Sequence, residues 1–471
     1  MAVNKRIDIG GIVQGVGFRP FVYQLAVRHG IRGFVRNTGH GVHLEAEGEA
    51  EAIGSFLEAL RHELPPQARI DTLHATEGQI AGYEAFGIVQ SREEEPSGAL
   101  IPADAALCEA CIREMDDPSD RRYRYPFINC TACGPRYTIL HTLPYDRVRT
   151  SMKTFAMCPE CEAEYTNPAS RRYHAEPISC PRCGPRLRFL DAGGEEIPAE
   201  AIALAASMLK EGKIIALKGV GGFHLMCDAT SDEAVGELRR RKRRKTKPLA
   251  VMCRSLEQLE RCVSVNANER GLITGAIKPI VIADARPETP LSGLVAPGIG
   301  RIGVMLPYTP LHRLLLEAVD VPLVATSANI SDEPILVTAE ELLERLGGVA
   351  DGILDHDRPI LNPLDDSVVQ LAGEKVLMLR MGRGYAPWSM PLHRPSEKGI
   401  LAVGAQQKSA IALALGGNLL LSGHIGDLGS IEAEEYFERT VETFKRFYGG
   451  GEEATIHDLH PTYTTTRYAL E

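Results

Sequence analysis

Two stretches of the chain are copies of each other. Residues 108–136 read CEACIREMDDPSDRRYRYPFINCTACGPR and residues 158–186 read CPECEAEYTNPASRRYHAEPISCPRCGPR, an offset of 50. Each copy holds C-x2-C, eighteen further residues and a second C-x2-C, which together use eight of the 11 cysteines. The agreement extends past the thiols. Pro118 answers to Pro168, Arg121-Arg122-Tyr123 to Arg171-Arg172-Tyr173, and Gly134-Pro135-Arg136 to Gly184-Pro185-Arg186. A two-residue gap lets both sulfurs of a knuckle face one ion, and two knuckles complete a tetrahedral sulfur site with no open coordination position. The simplest assignment is one structural zinc on Cys108, Cys111, Cys130 and Cys133 and a second on Cys158, Cys161, Cys180 and Cys183. Exchange of knuckles between the sites, iron in place of zinc, or four disulfides in an oxidised sample satisfy the same spacing. Cys227, Cys253 and Cys262 lack it and read as ordinary core or surface cysteines.

With 471 residues the chain has material for about three domains or more. A net charge of −10 argues against a general nucleic-acid coat, so no nucleic-acid partner is expected. The start MAVNKRIDIG lacks an apolar signal core, and no run of about 18 residues escapes polar interruption. These features predict a cytoplasmic protein with no membrane partner.

The first ninety residues read as βαββαβ with an extra edge segment, the ferredoxin-like plan. Ile7, Ile9, Ile12 and Val13 predict a strand, and Pro20 followed by Phe21, Val22, Leu25 and Ala26 predicts a helix with proline in its first turn. Between them lies a glycine-rich loop, Gln14, Gly15, Val16, Gly17, Phe18 and Arg19. Unpaired N–H groups at a helix start favour an anion, glycines let backbone approach it, and Arg19 adds a forked cation. A phosphate or acyl phosphate is the natural ligand; a tight turn without ligand is the plainer reading. Asn37 ends the second predicted strand, where its amide would orient water in line with an acyl phosphate.

VQGVGFRPFVYQLA followed by GFVRNTGHGVHLEAEG resembles acylphosphatase over residues 1–92. The resemblance implies catalytic roles for Arg19, as phosphate ligand, and for Asn37, as the residue that positions water.

Residues 198–387 alternate helical and strand patterns. Within them IIALKGVGGFHLMCDAT predicts a strand entering a glycine-rich turn, and eight of the nine residues from Arg239 to Lys247 are basic. By itself that run reads equally as a solvated helix end stopped by Pro248 or as a nucleic-acid patch. No G-x-x-x-x-G-K-[ST] loop occurs in this segment, which argues against an ordinary P-loop enzyme. KRRKTKPLAVM, RIGVMLPYTPLHRLLL, LVATSANISDEPI and DDSVV together resemble the YrdC family, which activates a one-carbon acid as a mixed anhydride with AMP. The resemblance implies that Lys242, Arg243 and Lys247 grip ATP phosphates, that Ser327 and Asn329 complete the nucleotide pocket, that Arg383 binds the same anion, and that magnesium accompanies ATP. Asn362 and Pro363 stand where relatives tend to carry arginine before the paired aspartates.

From Gly399 the chain predicts hairpin strands and then an amphipathic helix, EEYFERTVETFKRFYG. This tail, taken as 388–471, resembles the opening lobe of the actin and sugar-kinase-like fold of carbamoyltransferases and is short for that fold, so it reads as a C-terminally truncated, partial domain. His424, His457 and His460 do not form the H-x-x-x-H metal motif of those relatives, while His424 and Asp427 are candidates for either a site or a turn.

The whole therefore reads as a multidomain α+β and α/β chain. It comprises a ferredoxin-like acylphosphatase domain (1–92), a duplicated four-cysteine zinc module (93–190), a YrdC-like α/β domain (198–387) and a partial actin/sugar-kinase-like domain (388–471). That order resembles the HypF family, the carbamoyltransferases of nickel–iron hydrogenase maturation. The resemblance implies hydrolysis of carbamoyl phosphate to carbamate, passage by an enclosed route, activation by ATP to carbamoyl adenylate, and transfer to the C-terminal cysteine of the partner HypE as precursor of a cyanide ligand. The truncated tail is expected to support the first two steps and not the third. Competing readings are a threonylcarbamoyl adenylate synthase for tRNA, an antibiotic O-carbamoyltransferase, and a non-enzymatic zinc-stabilised tRNA-binding protein.

Overall fold

The structure, a computed structural model, describes residues 2–91, 99–449 and 451–471. The junction expected at 92/93 lies outside the described residues.

The first unit is built from β1 (Ala2–Ile12), α1 (Phe18–Arg28), β2 (Arg32–Thr38), β3 (Gly41–Glu49), α2 (Ala50–His62), β4 (Arg69–Gly78) and β5 (Phe86–Ile88). The strands lie in the order β4-β1-β3-β2-β5, antiparallel except for the edge pair β2–β5. Alternation in β1 sets the faces: Ile7 and Ile9 enter a core with Val22, Leu25, Ile53 and Phe56, while Arg6 and Asp8 face outward. The first helix opens at Phe18, which places Pro20 in its first turn as the sequence predicts. Gly17, at φ 75°, turns the chain left-handed and sets that start.

The two cysteine copies have little regular structure beyond one eight-residue helix each, Glu109–Asp116 and Pro159–Thr166. They form the hub of the molecule. Tyr137, Leu140 and Tyr145, between the last knuckle of the first copy and the first knuckle of the second, share one apolar cluster with Phe437, Phe444 and Phe447 of the tail. Phe127 and Ile128 share another with Leu217, Leu311 and Leu354 of the large sheet.

That sheet has eleven strands. It runs from an edge at Leu187–Asp191 through Gly352–His356, Ile215–Lys218, Phe223–Asp228 and Leu323–Ser327 to the far edge at Lys375–Arg380. The edge strand Leu187–Asp191 leaves the second cysteine copy directly and pairs antiparallel with Gly352–His356, so the sheet begins ahead of residue 198. The glycine-rich turn at Gly221 has a packing reason: a Cβ there would come within 2.0 Å of the Leu364 carbonyl oxygen.

The helix Asp232–Arg241 stops well before Pro248, because Arg243 adopts φ 51° and reverses the chain. Arg239 stabilises that reversal by donating Nη1 to the carbonyls of Arg244 at 3.0 Å and Lys245 at 3.2 Å. In the tail, Trp388–Ala402 pairs antiparallel with Ala412–Leu421 and parallel with Glu452–Ile456. Phe437, Val441, Phe444 and Tyr448 recur on one face of the helix Ile431–Tyr448 and are all buried, each contributing about 2 kcal/mol of burial. The unusual Asn362-Pro363 pair lies where three units meet. The Asn362 amide donates to Tyr137 O at 2.6 Å and Leu140 O at 2.8 Å, and Pro363 O accepts from the Tyr436 hydroxyl at 2.8 Å.

Candidate functional site

Each set of four cysteines gathers its own sulfurs. Sγ–Sγ separations are 3.7, 3.8 and 3.6 Å in the first set and 3.7, 3.7 and 3.6 Å in the second. A zinc–sulfur bond of about 2.3 Å makes the edge of the tetrahedron about 3.8 Å. A disulfide would need about 2.0 Å. The spacing thus fits one structural zinc per copy, with no exchange of knuckles and no disulfide.

The matched arginines explain why the copies come as a pair. Arg121 donates to Cys161 Sγ at 3.3 Å and Arg171 to Cys111 Sγ at 3.1 Å, so each copy sends a cation to the other's sulfur cluster. Arg122 and Arg172 complete the exchange on Glu164 and Glu114. Four thiolates around a divalent ion carry excess negative charge, and these guanidiniums compensate it across the interface.

The glycine-rich loop closes against this hub. Gly15 and Gly17 have φ 69° and 75°, and a Cβ on Gly17 would stand 3.1 Å from the Thr131 side chain. Arg136 donates to the Gly15 carbonyl, and Gln14 Oε1 accepts from Tyr145 N at 2.9 Å. Val16 and Phe18 are buried in the first unit's core, which leaves their peptide groups rather than their side chains for the loop. Arg19 is nearly buried; its Nη2 donates to Glu176 Oε1 at 2.8 Å and its Nη1 to Asp146 Oδ1 at 3.3 Å. Asn37 is fully buried, donates Nδ2 to Tyr145 O at 3.4 Å, and has Oδ1 without a partner. Tyr145 thus touches both Gln14 and Asn37 and ties the loop to the strand end.

The basic turn divides into anchored and exposed groups. Lys242 Nζ donates to Ser327 O at 2.8 Å, Asn329 O at 2.7 Å and Asn329 Oδ1 at 3.0 Å, which brings Lys242, Ser327 and Asn329 together. Burial, with Arg244 next, pulls its ammonium down to about 7. Ser327 Oγ also donates to Asn329 Oδ1 at 3.0 Å. Arg243 and Lys247 are exposed on the same turn. Lys242→Met leaves three acceptors without their donor, a loss of about 1 kcal/mol for each bond. A thermal melt of this variant should shift downward by several degrees, whereas Arg243→Ala and Lys247→Ala should melt with the unaltered chain.

Arg383 is engaged elsewhere. Its Nε donates to Asp366 Oδ1 at 2.6 Å, Nη1 to Ile277 O and Nη2 to Lys278 O at 2.8 Å, and its plane lies 3.4 Å from the Tyr308 ring centre. Asp366 also meets His224 Nε2 at 3.1 Å; although burial would raise its carboxyl, Arg383 and then His224 hold it well below the usual range. With these contacts Arg383 braces the buried floor of the large domain. Asp427 likewise caps a turn, accepting from Lys408 N at 2.7 Å, while His424 N donates to Met381 O at 2.8 Å.

Spacing and resemblance did not single out Asp146, Glu176, Lys218, His356 or Arg358. The last three line a small cavity between the first cysteine copy and the large sheet together with Phe127, Gly134 and Pro135, the Phe127 ring lying against both His356 and Arg358. For Glu176 a signal exists in the repeat: it replaces Pro126 of the first copy.

Family models match residues 5–88 (acylphosphatase), 107–140 and 157–190 (HypF finger), 207–382 (telomere recombination, the Sua5/YciO/YrdC family) and 395–471 (HypF Kae1-like domain). A carbamoyltransferase HypF from Synechocystis is 47% identical over 471 residues, covering 100% of this chain and 61% of that protein. A crystal structure of full-length HypF in a phosphate- and nucleotide-bound form superposes with a TM-score of 0.96 at 42% identity, over 100% of this chain and 62% of that one. The T. kodakarensis HypF structure superposes at 0.92 and 41% identity, over 99% and 60%. The chain spans about three-fifths of the length of these relatives. With both finger copies, the loop before Arg19 and the Kae1-like tail in this order and along its full extent, the chain belongs to the HypF family.

Proposed function

We propose that the chain carries a carbamoyl group from carbamoyl phosphate to carbamoyl adenylate. The phosphate lies in the loop Gln14–Arg19, held by peptide N–H groups and the Arg19 fork, and Asn37 orients the attacking water. Water adds to phosphorus, the bond from phosphorus to the acyl oxygen breaks, and its electron pair leaves on carbamate. At the second site a carbamate oxygen attacks the α-phosphorus of ATP and pyrophosphate departs. Arg243 and Lys247 compensate the charge of the phosphates, together with the magnesium that accompanies ATP. Ser327 and Asn329, tied by Lys242, form the wall of that pocket.

The observation that carries the reading is the position of one segment, Gly134-Pro135-Arg136. Arg136 grips the carbonyl of Gly15, while Gly134 and Pro135 line the cavity that Lys218, His356 and Arg358 close from the other domain. One short segment thus ties the glycine-rich loop to the face of the large domain that carries Lys218, His356 and Arg358. That the related HypF structure holds phosphate and nucleotide supports both halves.

In a protein of its relatives' full length, transfer to the C-terminal cysteine of HypE, in the service of hydrogenase maturation, belongs to the same proposal; a cytoplasmic location belongs to it for this chain as well. All 11 cysteines are free of disulfides, which suits a reducing compartment.

The test is release of AMP and pyrophosphate from ATP by the purified chain. Release should require carbamoyl phosphate. Release with bicarbonate and threonine instead would move the protein to tRNA modification.

A further inference from the structure

In a duplicated module, positions where the copies agree serve the shared fold and metal, and positions where they part serve each copy's own neighbours. The copies part at Arg124-Tyr125-Pro126 against His174-Ala175-Glu176. The first of these segments backs onto the large domain. The second reaches the glycine-rich loop, where Glu176 Oε1 accepts from Arg19 at 2.8 Å and Oε2 accepts from Arg147 N and from the Tyr165 hydroxyl, both at 2.9 Å. The side chain of Glu176 is 1% exposed.

We propose that the second cysteine copy supplies a positioning residue to the first active site. Glu176 holds the Arg19 guanidinium beside the loop and takes up a proton when a tetrahedral dianion enters. The inference rests on the acyl-phosphate reading of that loop.

The charge balance explains why. With the loop empty, one guanidinium faces two carboxylates, Glu176 and Asp146. A dianion brought to the same guanidinium adds two further negative charges to a nearly dry site, and the least costly relief is protonation of the most buried carboxylate. Burial already outweighs the pull of Arg19 and pushes the Glu176 carboxyl up to about 7. The other groups that face it do not take its place. Burial and Glu176 itself hold the Tyr165 phenol above its ordinary value, and burial does the same for Tyr145. Burial and then Arg19 bring His174 down to about 4, so it is neutral near pH 7. Arg147 meets the Glu176 carboxylate through its backbone N–H at 2.9 Å and turns its guanidinium to the Glu176 carbonyl, donating Nη1 at 2.6 Å. Asp146, at 22% side-chain exposure, keeps contact with water.

A raised carboxyl that binds a proton together with the anion gives affinity that is full below its free-site pKa and falls above it. Each pH unit beyond that point is worth up to tenfold. Sulfate, a tetrahedral dianion throughout this range, is the probe. Calorimetric titration of the zinc-loaded chain should show sulfate binding about tenfold weaker at pH 8 than at pH 6, and Glu176→Gln should flatten that profile. Superimposable profiles for the two proteins would overturn the proposal and leave the anion site standing. Absence of sulfate binding to the unaltered chain at every pH would overturn both. Should Glu176→Gln fail to retain two zinc ions, infrared difference spectra of the unaltered chain decide: a protonated-carboxyl band growing with sulfate at pH 8 supports the proposal, and its absence overturns it.

Discussion

Cys161→Ser is expected to leave one zinc ion per chain where the unaltered chain holds two, and to take the first-domain anion site with it. Cys161 is fully buried and accepts from Arg121 and Arg122 of the other copy, so the substitution removes a ligand and unseats two cations together. Structural zinc contributes about 10–16 kcal/mol to small finger folds. That exceeds what the few apolar residues around the second cluster, Ala175 and Ile178 among them, replace by packing. Glu176 hangs from this copy four residues before Cys180, so Arg19 loses its main partner when the copy loosens. Zinc content by atomic emission should fall to one, and sulfate affinity should drop with it. Two ions retained at full affinity would show that the fourth sulfur is dispensable. One ion with sulfate binding intact would separate the metal from the loop.

The second large effect belongs to Arg19. Arg19→Ala should lower carbamoyl-phosphate-dependent AMP release by about 10²–10³-fold, the usual loss when one pre-oriented donor to a developing charge is removed. The nucleotide site lies on another domain and does not contact Arg19, so AMP formation should persist when carbamate is supplied in concentrated ammonium bicarbonate. Loss in both assays would mean that Arg19 acts by bracing the hub through Glu176 and Asp146 rather than by holding phosphate. The two-substrate assay distinguishes the cases because each substrate enters at a different domain.

Much of this chemistry was readable without coordinates, for local reasons. Two residues between thiols force both sulfurs to one side, so the eight ligands and their grouping follow from spacing once the structure excludes exchange. Alternation at Ile7 and Ile9, and the 3.6-residue recurrence of Phe437, Val441, Phe444 and Tyr448, mark which side of an element is buried, because side-chain direction repeats with the backbone. The glycines at 15 and 17 mark a left-handed turn for the same reason: only glycine adopts that conformation without strain.

Other expectations met forces that no window of sequence contains. Arg383 and Arg19 are both single arginines near glycines, yet one is bound by Asp366 and two carbonyls of its own domain while the other is paired with two carboxylates, Asp146 and Glu176, of the cysteine module. Asn362 looks like a departure from its relatives until Tyr137 and Leu140, more than two hundred residues earlier, are seen to take both its protons. The eight basic residues of the turn look alike in sequence. Folding commits Arg239 and Lys242 to carbonyls and leaves Arg243 and Lys247 in solvent.

The sequence by itself thus determined the two cysteine sets and the glycine-rich loop, since each depends on spacing within a few tens of residues, while the order of the domains followed from the resemblance of each stretch to a known family. The tertiary structure alone decided which cations remain available to an anion and which carboxylates stand against Arg19. Those partners are 127 and 157 residues away along the chain, and the strength of a charge pair depends on separation and burial in space.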